Sequence, residues 1–276
     1  MRDIKFICTY ELAVPDQKQL AISNRQNQII ELVRGQGYAS IEMMADRFGV
    51  SQQTVRRDII FLSENNLLQR HHGGAGLPSG VDGLAYPNRK VRKAREKQLI
   101  GNAIAARIPN GAFLYIDIGT TTEAVAKALL KHKGLRVLTN HIGIVPMLCE
   151  NTDFEIILTG GLVRNQDRAV TGEATAEFLR KFRVGYGIFG IGSLADDGQL
   201  LDYDYRDAQA SRAALEISRH KFVAADHSKF NADAMMPFAH VSEIDALFTD
   251  KKPPSPIVDI IKKGGSDLFI ASDAAG

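Results

Sequence analysis

The eight residues from Ser51 to Asp58, SQQTVRRD, constrain the fold more than any other stretch of this chain. Ser51 can cap a helix by accepting a hydrogen bond from a backbone N–H, and Gly49 in the turn before it ends an earlier helical segment. The pattern predicts a helix, a tight turn and a second helix. The first turns of that second helix carry side chains that can reach base edges and phosphates, as a recognition helix does. The alternative interpretation is a solvated amphipathic helix.

Apolar residues at helical spacing predict two further helices before this one, the first ending at Gly35 or Gly37 and the second capped by Ser40. After the recognition helix, LLQRHHGGA is typical of a basic β-wing that lies along the DNA backbone or minor groove. The predicted inward-facing residues are Ile29, Ile30, Leu32, Val33, Ile41, Met44, Ala45, Phe48, Val55, Ile59 and Leu62. The predicted DNA-binding residues are Ser40, Ser51, Gln52, Gln53, Thr54, Arg56, Arg57, Arg70, His71 and His72.

Composition restricts the class of protein. A chain of 276 residues that is 45% hydrophobic suggests a small domain joined to a larger one. Cys8 and Cys149 provide no disulfide framework and fit a reducing compartment, so we expect a cytoplasmic protein. No apolar run approaches the roughly 20 residues that span a bilayer, and we expect no membrane partner. Scattered His residues and isolated Cys residues indicate neither a metal site nor a cofactor.

The domain boundaries follow from local composition. We predict an N-terminal extension over residues 1–24, a winged helix-turn-helix domain over 25–78, a linker over 79–95 and an α/β domain over 96–276. A basic segment lies between Tyr86 and Lys97. Its Lys and Arg residues are compatible with phosphate contacts to DNA, which would steepen the salt dependence of binding, and equally with an ordinary solvated start of a helix.

Short apolar runs alternate with helical segments in the second domain, as expected of parallel strands that are covered on both faces. The sequence therefore predicts a doubly wound parallel sheet, without its strand order. Ligands of such sheets bind at the carboxyl ends of the strands. The predicted strands are Phe113–Ile118, Arg136–Thr139, Glu155–Thr159, Tyr186–Ile191, Phe222–Ala225 and Ala246–Thr249.

The best candidate for a ligand site follows the first of these strands, where IDIGTTTEAVA predicts a glycine turn and a helix that opens with three threonines. A helix N-terminus presents unpaired N–H groups and a partial positive charge, which suit a phosphate. Threonines also cap helices for structural reasons alone. Glycines at other strand ends are explained by close approach of a ligand or by close packing. Glu173 could accept from a polyol hydroxyl or could complement a helix dipole. Lys229 could bind the phosphate or could be an ordinary lysine of a surface loop.

The motifs together resemble the DeoR family of bacterial transcriptional regulators. The resemblance rests on RQNQIIELV, SIEMMADRFGVSQQTVRRD and LLQRHHGGA, and the further blocks IDIGTTTEAVA, TGEAT and DHSKF are similar to members that respond to glycerol-3-phosphate. It implies binding to double-stranded operator DNA, release by a phosphorylated sugar or polyol, and a sensor fold shared with ribose-5-phosphate isomerase and coenzyme A transferases. The expected effector-binding residues are Asp117, Gly119, Thr120, Thr121, Thr122, Asn140, Gly160, Gly161, Glu173 and Lys229.

A second function stays open at this point, namely a sugar-phosphate isomerase with a DNA-binding appendage. Isomerases need a carboxylate base and a group that moves a proton across the sugar carbonyl. The stretch DGQLLDYDYRDAQASRAALE has many acids, with Asp202, Asp204 and Arg212 as possible ligand or subunit contacts, but lacks the glycine-rich loop of those enzymes. We therefore predict a homo-oligomeric repressor that binds its effector without turnover and has no catalytic residue.

Overall fold

The chain forms two compact units, one ending at Gly76 and the other beginning at Leu77. The computed structural model describes residues 22–36, 38–65, 67–71, 73–76, 86–165 and 167–272. Most of the predicted N-terminal extension, the 79–85 part of the predicted linker and His72 lie outside these ranges. Residues 86–91 of the predicted linker are helical.

The first unit is a winged helix-turn-helix. Its elements are α1 (Asn24–Gln36), β1 (Tyr38–Ser40), α2 (Ile41–Phe48), α3 (Gln52–Glu64), β2 (Gln69–His71) and β3 (Gly74–Gly76). The turn between α2 and α3 begins at Gly49, whose φ of 61° is left-handed and favours glycine. β2 and β3 form the hairpin of the wing, and β3 also pairs with β1 in an antiparallel sheet. The predicted helix, turn and helix are confirmed.

One small core joins the three helices. Ile29, Met44, Val55 and Leu62 are fully buried, as their spacing predicts, whereas Ile41 and Phe48 are only partly buried. The sequence did not reveal that Asp58 also faces inward. Its carboxylate accepts hydrogen bonds from α1, from Arg25 Nε at 2.6 Å and Gln26 Nε2 at 3.0 Å. A buried carboxylate needs such partners, so Asp58 ties α1 to the recognition helix.

The second unit is built around a seven-stranded parallel sheet. Its strands are β4 (Phe113–Ile116), β5 (Arg136–Thr139), β6 (Glu155–Leu158), β9 (Val184–Phe189), β12 (Ser218–Ala224), β14 (Ala246–Thr249) and β15 (Asp267–Ile270). Two smaller sheets contain β7 (Leu162–Arg164) with β8 (Ala169–Thr171), and β10 (Ser193–Leu194), β11 (Gln199–Asp202) and β13 (Met236–His240). The helices are α4 (Tyr86–Val91), α5 (Ala94–Ala105), α6 (Thr120–Ala128), α7 (Val145–Asn151), α8 (Glu173–Leu179), α9 (Tyr205–Ile217) and α10 (Ser255–Gly264).

The strand order is β15-β14-β12-β9-β4-β5-β6, with every neighbouring pair parallel. The chain runs outward from β4 to β6 and then returns to β9 on the other side of β4. This reversal places a topological switch point between β4 and β9, which is where open α/β sheets bind ligands. All six predicted strands are confirmed within a few residues at their ends, whereas β15 and the small antiparallel sheets were not predicted.

Both faces of the large sheet are covered. Leu114 and Ile116 of β4 point into a core shared with α5 and α6, while Tyr115 between them points into the opposite core, where it packs on Phe189. All three β4 side chains are fully buried. Burial on both faces explains why these strands lack the alternation of a half-exposed sheet.

The contact between α5 and α6 depends on Gly101. A Cβ at this position would lie 2.7 Å from the carbonyl oxygen of Ala124 and 2.9 Å from its carbon. Alanine usually stabilises a helix relative to glycine by about 0.5–1 kcal/mol, but here the backbone of α6 leaves no room for it. We expect Gly101→Ala to lower the free energy of unfolding by about 1–3 kcal/mol, measured by urea denaturation.

Gly160 provides the matched control, because a Cβ there would meet no atom within 4 Å and its φ is not positive. Gly160→Ala is therefore expected to be nearly neutral in the same measurement. Equal stability of the two alanine variants would contradict the close approach of α5 and α6 at Gly101.

Candidate effector cleft and DNA-binding surface

The exposed face of α3 carries the predicted base-reading residues. Gln52, Gln53, Arg56 and Arg57 are all exposed, opposite the buried residues of the same helix. Gln53 and Arg56 also border a shallow concavity together with Arg70 of the wing strand β2. The recognition helix and the wing therefore border one concavity, whose lining also includes Ile41, Ile59 and Ile60. The polar and cationic side chains beside it suit a helix that enters the major groove next to a backbone-binding wing.

Three of the predicted DNA-binding residues form hydrogen bonds at the N-termini of helices in this unit. Ser40 Oγ accepts from the Met43 N–H at 3.1 Å and caps α2, and Ser51 Oγ accepts from the Thr54 N–H at 3.2 Å and caps α3. The Thr54 hydroxyl lies 2.9 Å from the Ser51 hydroxyl. The Ser51 and Thr54 hydroxyls thus fix the first turn of the recognition helix. His71 lies in β2, and His72 falls outside the described residues.

A cleft opens in the second unit at the switch point of the sheet. Its floor is formed by the loops that follow β4 and β9, through Ile118 to Thr121 and Gly190 to Gly192. The loop after β12 adds Asp226, Ser228 and Lys229. Gly190 brings two of these loops together, because a Cβ there would lie 3.0 Å from the carbonyl oxygen of Ile118.

The N-terminus of α6 points into this cleft. Gly119 occupies the cap position with a φ of 134°, which favours glycine, and no side chain of the described residues caps the helix. Thr120 and Thr121 of the first turn line the cleft. Thr122 is fully buried and donates through its hydroxyl to the carbonyl of Gly119 at 2.9 Å. The first N–H groups of α6 are thus directed, with the positive end of the helix dipole, at an anion-sized site.

Five cationic side chains line the same cleft, namely Arg89, Arg92, Lys93, Lys97 and Lys229. Lys97 is 6% exposed, and its ammonium donates to the carbonyls of Arg89 at 2.5 Å and Arg92 at 2.9 Å and to Thr120 Oγ1 at 2.9 Å. Burial lowers the pKa of Lys97 to about 8. This lysine joins the end of α4 to the first turn of α6.

The interpretation of the basic segment as a solvated start of a helix is wrong for Lys97, which is buried. The burial of Lys97 could have been predicted from its position on the apolar face of α5. It lies three residues before Ile100 and seven before Ile104, which are both fully buried. A lysine at such a position is either excluded from the core or held by acceptors within it.

Acidic side chains also line the cleft. Asp167, Asp202 and Asp207 line it. Arg164 of β7 binds Asp167 through two hydrogen bonds of 2.9 and 2.7 Å and Asp207 through one of 2.6 Å. Asp204 caps α9 by accepting from the Arg206 N–H at 2.8 Å. Asp167, Asp202 and Asp207 form what we call the acidic wall, and the five cationic side chains form the cationic wall, of one cleft.

The segment that enters this unit is held on α6 by a separate polar cluster. Tyr86 of α4 donates to Glu123 at 2.6 Å and lies 3.0 Å from His141 Nε2, and Lys90 pairs with Glu123. Burial raises the pKa of Tyr86 well above its usual range and lowers that of His141 to about 4. His141 is therefore neutral near pH 7. Since Glu123 lies in the first turn of α6, α4 is anchored directly beside the cleft.

Comparison with known families agrees with this architecture. The DeoR-like helix-turn-helix domain matches residues 25–81, and the DeoR C terminal sensor domain matches residues 92–251. The chain belongs to the DeoR family. The resemblance of its motifs to that family is confirmed over both units.

Several curated relatives of this DeoR-family protein are repressors. The glycerol-3-phosphate regulon repressor of Escherichia coli (strain K12) is 46% identical over 239 residues, covering 87% of this chain and 95% of the relative. The repressor of the same name from Haemophilus influenzae is 43% identical over 250 residues, covering 91% and 97%. The HTH-type transcriptional repressor CsqR of Escherichia coli (strain K12) is 36% identical over 257 residues, covering 93% and 98%.

Solved structures match part of the chain. Ribose 5 phosphate isomerase A from Neisseria gonorrhoeae has a TM-score of 0.37 and 14% identity, covering 49% of this chain and 53% of that chain. eIF2B beta from Chaetomium thermophilum has a TM-score of 0.43 and 14% identity, covering 63% and 54%. Within the described ranges, no helix combines the length and apolar character needed to cross a membrane.

The predicted effector residues of this DeoR-family protein fall into three groups. Gly119, Thr120, Thr121 and Lys229 line the cleft. The side chains behind its wall are Asp117, Thr122 and Asn140, each at most 2% exposed. The residues outside the lining are Gly160, Gly161 and Glu173.

The residues behind the wall form a buried network. The Tyr115 hydroxyl lies 2.9 Å from both Asp117 Oδ1 and Asn140 Oδ1, and Ser211 donates to Asp117 Oδ2 at 3.0 Å. Burial raises the pKa of Asp117 to about 7. These side chains hold the end of β4 in place, so their contribution to the cleft is its shape rather than a surface that a ligand contacts.

Close packing accounts for Gly161 outside the cleft. A Cβ there would lie 2.4 Å from Thr175 Oγ1 and 2.9 Å from the carbonyl oxygen of Thr171, and its φ is 149°. Glu173 opens α8 on the surface, where an acid complements the helix dipole. Both positions fit the structural alternatives that the sequence allowed.

Proposed function

We propose that this DeoR-family protein is a DNA-binding repressor whose operator binding is relieved by a phosphorylated polyol or sugar, with glycerol-3-phosphate favoured. The observation that carries the effector assignment is the meeting of the α6 N-terminus with five cationic side chains at the switch point of the sheet. Two relatives are named glycerol-3-phosphate regulon repressor, which supports the choice among phosphate esters.

The phosphate is assigned to the cationic side of the cleft. Backbone N–H groups of Gly119 to Thr121 would donate to its oxygens, and the helix dipole would stabilise its charge. Arg89 and Arg92 offer planar guanidinium groups that suit bidentate contact with phosphate, and Lys229 offers a point charge. Lys97 supports the site from behind through Thr120.

The operator is assigned to the surface formed by α3 and the wing. Gln53, Arg56 and Arg57 are exposed and can read base edges in the major groove, while Arg70 of the wing is placed for a phosphate contact. We expect a homo-oligomer that presents two or more such helices to operator half-sites about one helical turn, 34–36 Å, apart.

The link between effector and operator is assigned to α4. Arg89 and Arg92 of this region line the cleft, and α4 directly follows residues 77–85, through which the chain passes from one unit to the other. A ligand that binds these arginines in one arrangement of α4 better than in another shifts the equilibrium between arrangements. A coupling free energy of about 1–3 kcal/mol would release a large share of bound operator.

We propose that the cleft binds its ligand without turnover. The perturbed Lys97 and Asp202 favour the enzyme as a second candidate, because shifted pKa values gather at catalytic sites. However, the Lys97 ammonium already donates to three acceptors, so it is held as a support rather than as a proton donor to substrate. Incubation of pure protein with ribose-5-phosphate or glycerol-3-phosphate, followed by NMR, is expected to give no new product.

The main experiment is a titration of the operator complex. DNA from the protein's own upstream region is bound at a stated salt concentration, and glycerol-3-phosphate, ribose-5-phosphate, inorganic phosphate and glycerol are added in separate series. We expect release by glycerol-3-phosphate and none by glycerol, which lacks the phosphate. Release by glycerol at similar concentrations, or by no phosphate ester, would contradict the proposed effector class.

The affinity for glycerol-3-phosphate is expected to fall as the pH rises from 7 to 9. The pKa of Lys97 lies near 8 instead of 10.5, so its positive charge is lost in this window, and the pKa of Asp202 is raised to about 8, so negative charge is gained there. Each pH unit beyond a pKa costs at most a factor of ten, so calorimetry should show the dissociation constant rising about ten- to hundredfold.

Lys97→Met should flatten this profile. Stability responds in the opposite sense, since a lysine whose pKa is depressed by folding binds fewer protons in the folded state, and the free energy of unfolding rises from about pH 8 to pH 10.5. An affinity that is constant from pH 7 to 9 would contradict the place given to Lys97.

A further inference from the structure

The acidic wall of the cleft contains a buried oxygen that has no hydrogen-bond partner among the described residues. Asp207, in the first turn of α9, is 4% exposed, and its Oδ2 accepts from Arg164 at 2.6 Å. Its Oδ1 is buried and accepts no hydrogen bond from any group in the described part of the chain. A buried acceptor without a donor costs free energy, which makes such an atom a sign of a missing ligand group. The side chain lines the same cleft as the N-terminus of α6.

The groups around Asp207 hold its carboxylate in a position where Oδ1 can accept a hydrogen bond from a neutral donor. Arg164 forms ion pairs with both Asp207 and Asp167. The Asp207 carboxylate therefore cannot rotate away without breaking its ion pair with Arg164. Burial raises the pKa of Asp207 to about 6 and that of Asp202 to about 8. At pH 7.5 the Asp207 carboxylate is therefore mainly ionised and acts as an acceptor.

The charge of this wall selects against a second anion. Asp167 and Asp207 line the cleft, and their cationic partner among the described residues is Arg164, whose guanidinium is already shared among carboxylates. A carboxylate at this end of a ligand would meet negative charge in a site with little water, where repulsion is strong. A hydroxyl would supply the proton that Oδ1 lacks. These carboxylates do not form a metal site, since no group of three or more His, Cys, Asp or Glu within the described residues could hold a metal ion.

We infer that Asp207 Oδ1 accepts a hydrogen bond from a hydroxyl at the end of the effector remote from its phosphate, and so determines which phosphate esters bind. The ligand class is the phosphate ester of a neutral polyol, and phosphate esters that end in a carboxylate are rejected. This inference rests on the proposed function, because the phosphate at the cationic wall is what directs the hydroxyl end toward Asp207.

The first test compares ligands on the unaltered full-length protein by calorimetry at pH 7.5. Glycerol-3-phosphate is paired with propane-1,2-diol 1-phosphate, which lacks the terminal hydroxyl, and with 3-phosphoglycerate, which carries a carboxylate in its place. Inorganic phosphate reports on the cationic wall alone. We expect both altered esters to bind at least tenfold more weakly than glycerol-3-phosphate. Equal binding of the diol phosphate would overturn the inference.

The second test uses Asp207→Asn. The amide oxygen of Asn would face Arg164, which leaves an NH2 group, a donor, where Oδ1 lay. We expect the preference for glycerol-3-phosphate over 3-phosphoglycerate to fall at least tenfold while the affinity for inorganic phosphate stays within twofold. Asp204→Asn is the matched control, because Asp204 contacts the same Arg164 at 3.2 Å but does not line the cleft, and Asn also caps a helix.

Two negative outcomes are distinguishable. An unchanged ligand preference in Asp207→Asn, with wild-type affinity for phosphate, would overturn the role of Asp207 and leave the phosphate site intact. Failure of the unaltered protein to bind either glycerol-3-phosphate or inorganic phosphate would overturn the proposed function, and the inference with it. Thermal unfolding of each variant shows whether it is folded, and the ligand comparison on the unaltered protein decides the question if Asp207→Asn does not fold.

Discussion

Arg57→Ala is expected to weaken operator binding about ten- to hundredfold and to leave the affinity for glycerol-3-phosphate unchanged. Arg57 is exposed on α3, opposite the buried Val55, Asp58 and Ile59, so the substitution removes no packing from the first unit. A guanidinium that binds a base edge through two hydrogen bonds contributes about 1–3 kcal/mol of discrimination. The cleft lies in the other unit and has no residue of α3 in its lining.

The measurement is fluorescence anisotropy with operator and non-operator DNA at two salt concentrations. Loss of a base contact lowers specific binding more than non-specific binding, whereas loss of a phosphate contact weakens both. Arg219→Ala removes the same charge from an exposed site of the second unit and serves as the control. Equal weakening by both variants would indicate an effect of net charge and would contradict base reading by Arg57.

Lys97→Met is expected to weaken glycerol-3-phosphate binding about hundredfold and to produce a repressor that the effector no longer releases. The Lys97 ammonium donates hydrogen bonds to the carbonyls of Arg89 and Arg92 and to the hydroxyl of Thr120. Its loss therefore removes one support from each of two arginines of the cleft and from the N-terminus of α6. Hydrogen bonds of charged groups contribute about 1.5–3 kcal/mol each, and a hundredfold change in affinity corresponds to about 2.7 kcal/mol.

Calorimetry measures the loss of affinity, and operator release at rising glycerol-3-phosphate measures the response. Lys127→Met, on the exposed side of α6, removes the same group from the same helix without touching the cleft. Operator affinity without effector should be normal in both variants. A decrease in effector affinity of less than threefold in Lys97→Met would show that α4 and α6 keep their arrangement without this lysine.

Local pattern predicted the elements but not the side-chain partners that join distant elements. Apolar runs gave the central strands because burial on both faces leaves few polar residues within them, and the caps Ser40 and Ser51 were visible from their positions before helices. The strand β15 was not predicted, since Asp267 and the partly exposed residues after it give only a weak apolar run at the edge of the sheet.

Some residues of the cleft could be predicted from the sequence, and others could not. Reasoning from carboxyl ends of strands found Gly119 to Thr121 because that turn is contiguous in sequence. It could not find Arg164 and Asp207, which lie 43 positions apart and become partners only through the small β7–β8 sheet and α9. Nor could it tell Thr121, on the cleft, from Thr122, whose side chain turns back to Gly119.

The anchoring of α4 has a consequence for the physical nature of the signal. Burial is the largest cause of the low pKa of Lys97, and Arg89, Arg92 and Lys229 lower it further because their like charges repel its ammonium. A phosphate among them would act as a counterion that cancels the repulsion and lets the entering segment settle on α6. The bound effector would then act as a counterion for the cationic side chains of this domain. Its concentration would therefore set how tightly α4 is held on α6.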